Sequence, residues 1–399
     1  MSLISNKLPA FARNKQFSYA AAYYVGFIAL GLVGAVMGPT LLGLAAHTGS
    51  TIGQISFLFT ARAVGYFIGS LIGGRLYDRL PGHRVMTSVL ILIAGMMLLI
   101  PVVPLLWLLA AVLLVLGLGE GALDVGGNTL LVWGYREQVA PYMNALHFFF
   151  GVGAFISPII VAQAIQATGD IMLAYWALAV LMLPALVWLS RLPSPQRQVV
   201  TETHRSGRTN WKMLLLLVLS FYVYVGAELS LGNWLSTYAI KLNLADAAGA
   251  AYLTSAFWGA FTAGRLLSIP LATRFAERTV LLVDLVGSLA FVVLMLIFPH
   301  SAAALWIGAC GAGFAMASVF PTMISFAQRH MTITGQVTSL FLAGSSLGSM
   351  TLPLLIGQLF DSVGPSVMVI FVTAALVIEL ALYGLLLIVV ARKNGRQTA

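Results

Sequence analysis

Twelve long apolar stretches follow one another along this 399-residue chain, at 17–45, 51–76, 84–103, 105–133, 138–165, 170–190, 212–240, 248–273, 279–298, 301–328, 333–359 and 365–391. A run of about 20 such residues crosses the hydrocarbon layer as a helix. In lipid the backbone must satisfy its own N–H and C=O groups, and single apolar runs of this length do so only as helices. The fold class read from the sequence is therefore an all-α membrane protein with twelve transmembrane helices. Composition agrees: 60% of residues are apolar and 8% are charged, against about 25% charged in soluble domains. The one cysteine, Cys310, leaves neither a disulfide framework nor a cysteine metal cluster.

Basic residues set the expected orientation. Of the 21 Lys and Arg, 18 lie at the two ends or in every second connection, Lys241 stands alone on the other side, and Arg62 and Arg265 fall inside spans. By the positive-inside rule both termini are cytoplasmic. The first run is too long for a cleavable signal and leads straight into a second span, so the N-terminus is expected to stay attached. The net charge of +9 is then a topology signal, and nucleic acid is not an expected partner.

The chain repeats itself. Tyr24-Val25-Gly26 returns as Tyr224-Val225-Gly226, and Arg75, Asp78 and Arg79 return as Arg274, Glu277 and Arg278. Gly117 and Gly119 match Gly311 and Gly313, and Gly153, Pro158, Gln163 and Gly169 match Gly348, Pro353, Gln358 and Gly364. These shifts of 194 to 200 residues point to a duplicated six-helix unit. The predicted organisation is an N-terminal six-helix bundle over 1–191, a cytoplasmic linker over 192–211 containing Pro193, Pro195, Arg197, Arg205, Gly207 and Arg208, and a C-terminal six-helix bundle over 212–399. Two parallel repeats of six spans are the plan of the major facilitator superfamily.

A charge at the bilayer centre costs at least about 2.5–3.5 kcal/mol, so each ionisable residue inside a span needs a partner, a cavity or a function. Glu120, Asp124 and Asn128 are spaced by four in the fourth run and share one helical stripe. Two acids so placed do not both ionise without a cation. The stripe reads as a coupling site that holds a proton or a metal ion, or else one acid is a structural partner of Arg62. Asn144 and His147, before Phe148-Phe149-Phe150, suit a hydroxyl-rich ligand. Glu228, Asn233 and Trp234 form a second polar group, with a Glu228–Arg265 ion pair as its plain alternative. Trp258, Ser318, Thr322 and Gln328 are further candidates for solute contact or helix packing, while Asp284 and Glu379 read as structural, Asp284 meeting the basic loop. No nucleotide loop, metalloprotease motif or nucleophile elbow appears, so neither an enzyme nor a bound cofactor is expected, and transport energy must come from a gradient.

Gly74-Arg75-Leu-Tyr-Asp78-Arg79-Leu-Pro-Gly82-His83-Arg84 resembles the superfamily's gating loop between spans two and three, with one extra residue before Gly82. Leu123-Asp124-Val-Gly-Gly-Asn128, Asn144-Ala-Leu-His147, Tyr224-Val-Gly-Ala-Glu228 with Asn233-Trp234, and Trp258 through Gly264-Arg265 together resemble the sodium-dependent glucose transporter-like branch, beside bacterial fucose permease. In fucose permease a proton-linked glutamate matches Asp124, an asparagine matches Asn128, and Asn and Gln stand at Asn144 and His147. The permease also carries an aspartate in span one, whereas this chain has no carboxylate between Phe17 and Ala46.

The resemblance implies a monomeric symporter of the bacterial inner membrane. It would move a sugar or related polyol with a proton or sodium ion by alternating access. Asp124 and Glu120 would bind the cation, with sodium, if used, at Asp124. Asn128, Asn144, His147, Glu228, Asn233, Trp234 and Trp258 would contact the solute. The same plan also serves proton-driven exporters of drugs or metabolites, and lipid-handling or sensor proteins.

Overall fold

The computed structural model describes residues 10–195 and 211–395, so most of the linker, including Arg197, Arg205, Gly207 and Arg208, lies outside the described residues. Among the described residues every regular element is helical. In chain order the α-helices are α1 (Ala10–Gly34), α2 (Met37–Thr48), α3 (Ile52–Ile55), α4 (Phe57–Arg79), α5 (Gly82–Leu99), α6 (Leu106–Tyr135), α7 (Val139–Thr168), α8 (Met172–Leu181) and α9 (Leu183–Arg191), with short 3-10 turns at Ile100–Val102 and Arg136–Gln138. After the linker come α10 (Trp211–Lys241), α11 (Ala247–Arg274), α12 (Glu277–Ile297), α13 (Ala302–Met316), α14 (Val319–His330), α15 (Gly335–Val363) and α16 (Val367–Gly395).

Ten segments among the described residues are long and apolar enough to cross a membrane, and α1 with α2 makes up to eleven when the bent pair is one span. The remaining apolar run of the sequence is α11. It is 28 residues long but rich in Ala, Gly, Thr and Ser, and it falls below the apolarity of the others. It packs along α7 and α13, where small residues let backbones approach.

Besides the run over 51–76, where Ser56 separates α3 from α4, three runs expected as unbroken rods are broken. Residues 35–36 separate α1 from α2 at a 46° bend, Met182 separates α8 from α9, and 317–318 separate α13 from α14. Each break lies shortly before a proline, Pro39, Pro184 or Pro321. Proline lacks the N–H that would close the preceding turn, and its ring crowds the carbonyl four residues back. The turns between spans are set by local chemistry. Gly49, Gly169 and Gly364 take positive φ after α2, α7 and α15, and Asp246 caps α11 by accepting from Gly249 N at 2.7 Å.

Glycines bring the helices into backbone contact. A Cβ on Gly65 or Gly69 of α4 would collide with the carbonyls of Leu114 and Leu118 on α6, and one on Gly117 of α6 with the carbonyl of Arg62. Gly65→Val is therefore expected to cost about 1–3 kcal/mol or more through overpacking. The check is a lowered thermal midpoint of the detergent-purified protein; an unchanged midpoint counts against this packing. Gly153 meets the carbonyl of Ile28, and Gly348 meets that of Tyr222. Gly153 and Gly348 stand 195 residues apart in the sequence.

The polar ties between α1–α9 and α10–α16 cluster at the end of the molecule remote from the start of α1. Gln163 donates to Tyr252, while Gln358 donates to Gly53 O at 2.7 Å and to Ser56 Oγ at 3.2 Å. Ser255 donates to Phe155 O at 2.7 Å, and Thr60 to Met350 O at 2.9 Å. At the opposite end Arg75, Asp78, Arg79, Arg84 and Asn144 are exposed.

Candidate functional site

Two i,i+4 pairs face each other across the α4–α6 contact, Arg62 and Tyr66 opposite Glu120 and Asp124. The first rung is an ion pair, with Arg62 Nε donating to Glu120 Oε2 at 2.7 Å and Nη2 to Oε1 at 2.6 Å. The guanidinium also donates to Val33 O at 3.2 Å and Gly34 O at 3.3 Å, the carbonyls freed where α1 breaks. Glu120 is only 3% exposed. Its charge is matched by an arginine whose remaining donors cap a helix end, as the last carbonyls of a helix require.

The second rung is different in kind. Tyr66 O–H donates to Asp124 Oδ2, and Asn128 Nδ2 donates to Oδ1 at 3.0 Å and to the Asp124 carbonyl at 2.9 Å. Both partners are neutral donors, and no cationic side chain among the described residues pairs with Asp124. Asp124 and Asn128 also keep part of their surface accessible. The two acids of the stripe are thus divided: Glu120 joins Arg62 in a buried knot, and Asp124 has no cationic partner among the described residues.

His147 on α7 lies edge-on to Phe27 of α1 at 5.9 Å and within electrostatic reach of Arg265 on α11. Glu228 on α10 is 9% exposed and lies beside Tyr224 and Arg265, but Glu228 and Arg265 form no direct ion pair among the described residues. The structure therefore brings His147, Glu228 and Arg265 to the contact between the two sets of helices. Asn144 is exposed one turn before His147, and Tyr24 of α1 stacks on Phe149 at 4.9 Å.

Other sequence-selected residues sit elsewhere. Trp234 is fully buried, donates Nε1 to Pro353 O at 3.0 Å and stacks on Phe360 at 5.4 Å, so in this structure it offers no surface to a solute. Asn233 packs its backbone against Gly38, at the same closed end. Trp258 is 6% exposed among Phe257, Phe261 and Gly232 and is packed in the same way. Asp284 meets Ser318 beside the break of α13 and α14 rather than a basic loop, and Tyr224 caps the freed Met316 carbonyl. Glu379 is 2% exposed on α16, with Oε2 unpartnered.

In the loop motif Gly74 has open space around it. His83 is buried there, as are Tyr77 and Gly82: Tyr23 O–H shares a hydrogen bond with His83 Nε2 at 2.8 Å, Nδ1 meets Leu192 O at 3.1 Å, and the His83 N–H donates to Ser194 Oγ at 3.0 Å. This anchors the start of the linker. Sequence reasoning passed over His83 and Tyr66. Tyr66 could have been found, because it stands one turn after Arg62 just as Asp124 stands one turn after Glu120.

The Major Facilitator Superfamily profile matches residues 23–350. The chain belongs to that superfamily. It is a multi-pass membrane transporter rather than an enzyme. The sodium-dependent glucose transporter 1 of Xenopus laevis is 32% identical over 355 residues, covering 82% of this chain and 72% of the relative. The human sodium-dependent glucose transporter 1 is 32% identical over 377 residues, covering 84% and 72%. Among solved structures the nucleoside transporter NupG superimposes with a TM-score of 0.74 at 14% identity, covering 93% of this chain and 99% of that one. A bacterial homologue of the human lysosomal transporter Spinster gives 0.69 at 15% identity, covering 95% and 97%. At such identities these two matches speak for the fold alone.

Proposed function

We propose that the protein is a cation-coupled sugar symporter with its coupling group at Asp124. The observation that carries this reading is the division of the two acids: Asp124 is accessible and held by neutral donors only, while Glu120 is matched by Arg62. Glu120 is thereby assigned to holding the bend between α1 and α2, and Asp124 alone to the cation. The 32% identity to transporters named as sodium-dependent and glucose-carrying makes sodium and D-glucose the first ion and solute to test, with the proton as the other ion.

Asn128 supplies the link from ion to solute. Its amide nitrogen donates to Asp124. A sodium ion or proton at that carboxylate needs the amide oxygen instead, so cation arrival turns Asn128 and changes what it offers to a sugar hydroxyl. His147 and Glu228 face the same solute from the two sets of helices, and Asn144 lies toward its entrance.

The twelve-span count, with α11 as the eighth span, and the two six-helix bundles over 1–191 and 212–399 are part of the proposal. The recurring Gln163–Tyr252 and Gln358–Gly53 ties support them. With both termini cytoplasmic, as the basic residues indicate, the ties at the remote end support a carrier closed to the outside and open inward, acting as a monomer. Rocking of one bundle against the other exposes the site alternately. The cell membrane, the inner one in a bacterium, is its proposed place.

Purified protein in proteoliposomes should accumulate labelled D-glucose under an inward sodium or proton gradient. Uptake that responds to neither gradient rejects symport.

A further inference from the structure

The two arginines within the membrane are used in opposite ways. Arg62 directs its donors to Glu120, Val33 O and Gly34 O. Arg265 makes no side-chain hydrogen bond to any described residue, and its Nε is buried without a partner. Its guanidinium lies over the Phe261 ring, 4.6 Å from the centroid, and keeps part of its surface accessible. An uncommitted cation at this depth costs several kcal/mol unless it has a partner or a task. The cation–π contact to Phe261 fixes the plane of the guanidinium but leaves the N–H donors at its edge uncommitted.

Its surroundings define what those donors face. His147 of α7 lies within its electrostatic reach, and so do Glu228 and Tyr224 of α10. The planar fork of N–H groups suits two adjacent oxygens held in one plane. A nearby carboxylate is an acceptor only, so a ligand bound by both must carry oxygens that accept from arginine and hydroxyls that donate to Glu228. Vicinal hydroxyls do both. An anionic ligand would meet the Glu228 charge, so the pair favours a neutral polyol.

We propose that Arg265 is a recognition residue of the solute site, donating a forked pair of hydrogen bonds to two adjacent oxygens of a sugar while Glu228 accepts from a neighbouring hydroxyl. This rests on the sugar-transport reading above and adds to it the residue that selects a vicinal diol.

The test is titration calorimetry of the purified protein with D-glucose, each monodeoxyglucose and D-glucuronate, on the parent, R265Q and R265K. A hydrogen bond to a charged group is worth about 1.5–3 kcal/mol, so removing a hydroxyl that Arg265 contacts should weaken parental binding by roughly tenfold to a hundredfold. In R265Q, glucose itself should weaken by a similar factor, and the same deoxy analogue should lose nothing further. R265K keeps the charge without the fork and should fall between them.

A merely structural Arg265 would weaken every analogue by one common factor, and that result overturns the proposal while leaving sugar transport intact. Unchanged glucose affinity in R265Q, or a loss confined to glucuronate, also overturns it. A parent that binds none of the sugars removes the sugar-transport reading, and the role of Arg265 falls with it.

Discussion

Asp124→Asn is expected to reduce sugar accumulation from tens of fold to none while leaving exchange intact. One monovalent cation moving with a neutral sugar down a potential of 100 mV supplies about 2.3 kcal/mol. At 1.36 kcal/mol per factor of ten this sustains roughly fiftyfold accumulation. Asparagine keeps the size of the side chain and can still meet Tyr66 and Asn128, but it carries no charge to attract or release a cation. The substituted carrier should therefore equilibrate sugar without concentrating it. Counterflow, in which preloaded unlabelled sugar draws in labelled sugar, should persist near the parental rate. Accumulation at the parental level in Asp124→Asn would move the coupling group elsewhere.

Glu120→Ala should be the most damaging substitution for the fold itself. The Arg62 and Glu120 side chains are 15% and 5% exposed, and removal of one partner leaves a buried charge unmatched. Breaking such a pair typically costs about 3–5 kcal/mol, and here the loose guanidinium also endangers the cap on Val33 O and Gly34 O. Loss of monodisperse protein in detergent is the expected result. Replacing both residues together, Arg62→Met with Glu120→Leu, removes both charges and should recover much of the yield, since apolar packing can stand in for a buried ion pair. A Glu120→Ala protein of parental thermal stability would contradict the structural role given to this pair.

The all-helical membrane architecture was legible because lipid permits few solutions for long apolar runs, and the recurrence of Gly153 and Gln163 at Gly348 and Gln358 is the ground for proposing a duplicated plan. What escaped was long-range geometry. Pro39, Pro184 and Pro321 were visible, but whether a proline kinks a helix or breaks it depends on which neighbours cap the freed carbonyls. Arg62 performs that service for Gly34, and Tyr224 for Met316.

The acids of the fourth run were recognised as a stripe, yet their division into a knot and an accessible group required the facing helix, where Arg62 and Tyr66 meet different members. Trp234 looked like a wall for a ligand because an indole and a nearby amide suit sugars. It is buried instead within its own set of helices, against Pro353 and Phe360 of α15, a packing that no linear spacing records. An ion pair with Arg265 was the plain alternative for Glu228. Only the folded arrangement shows the two near each other without a direct pair.

If the cation at Asp124 acts on solute binding through Asn128, then each ligand must tighten the other by one common factor, as linkage requires. Titration calorimetry of sugar with and without saturating cation, and of cation with and without saturating sugar, measures that factor twice. The two values should agree, within roughly five- to 150-fold, and Asp124→Asn should reduce the effect of cation on sugar affinity to none. Sugar affinity that ignores the cation in the parent, or that still responds to it in Asp124→Asn, would contradict the coupling role of this carboxylate.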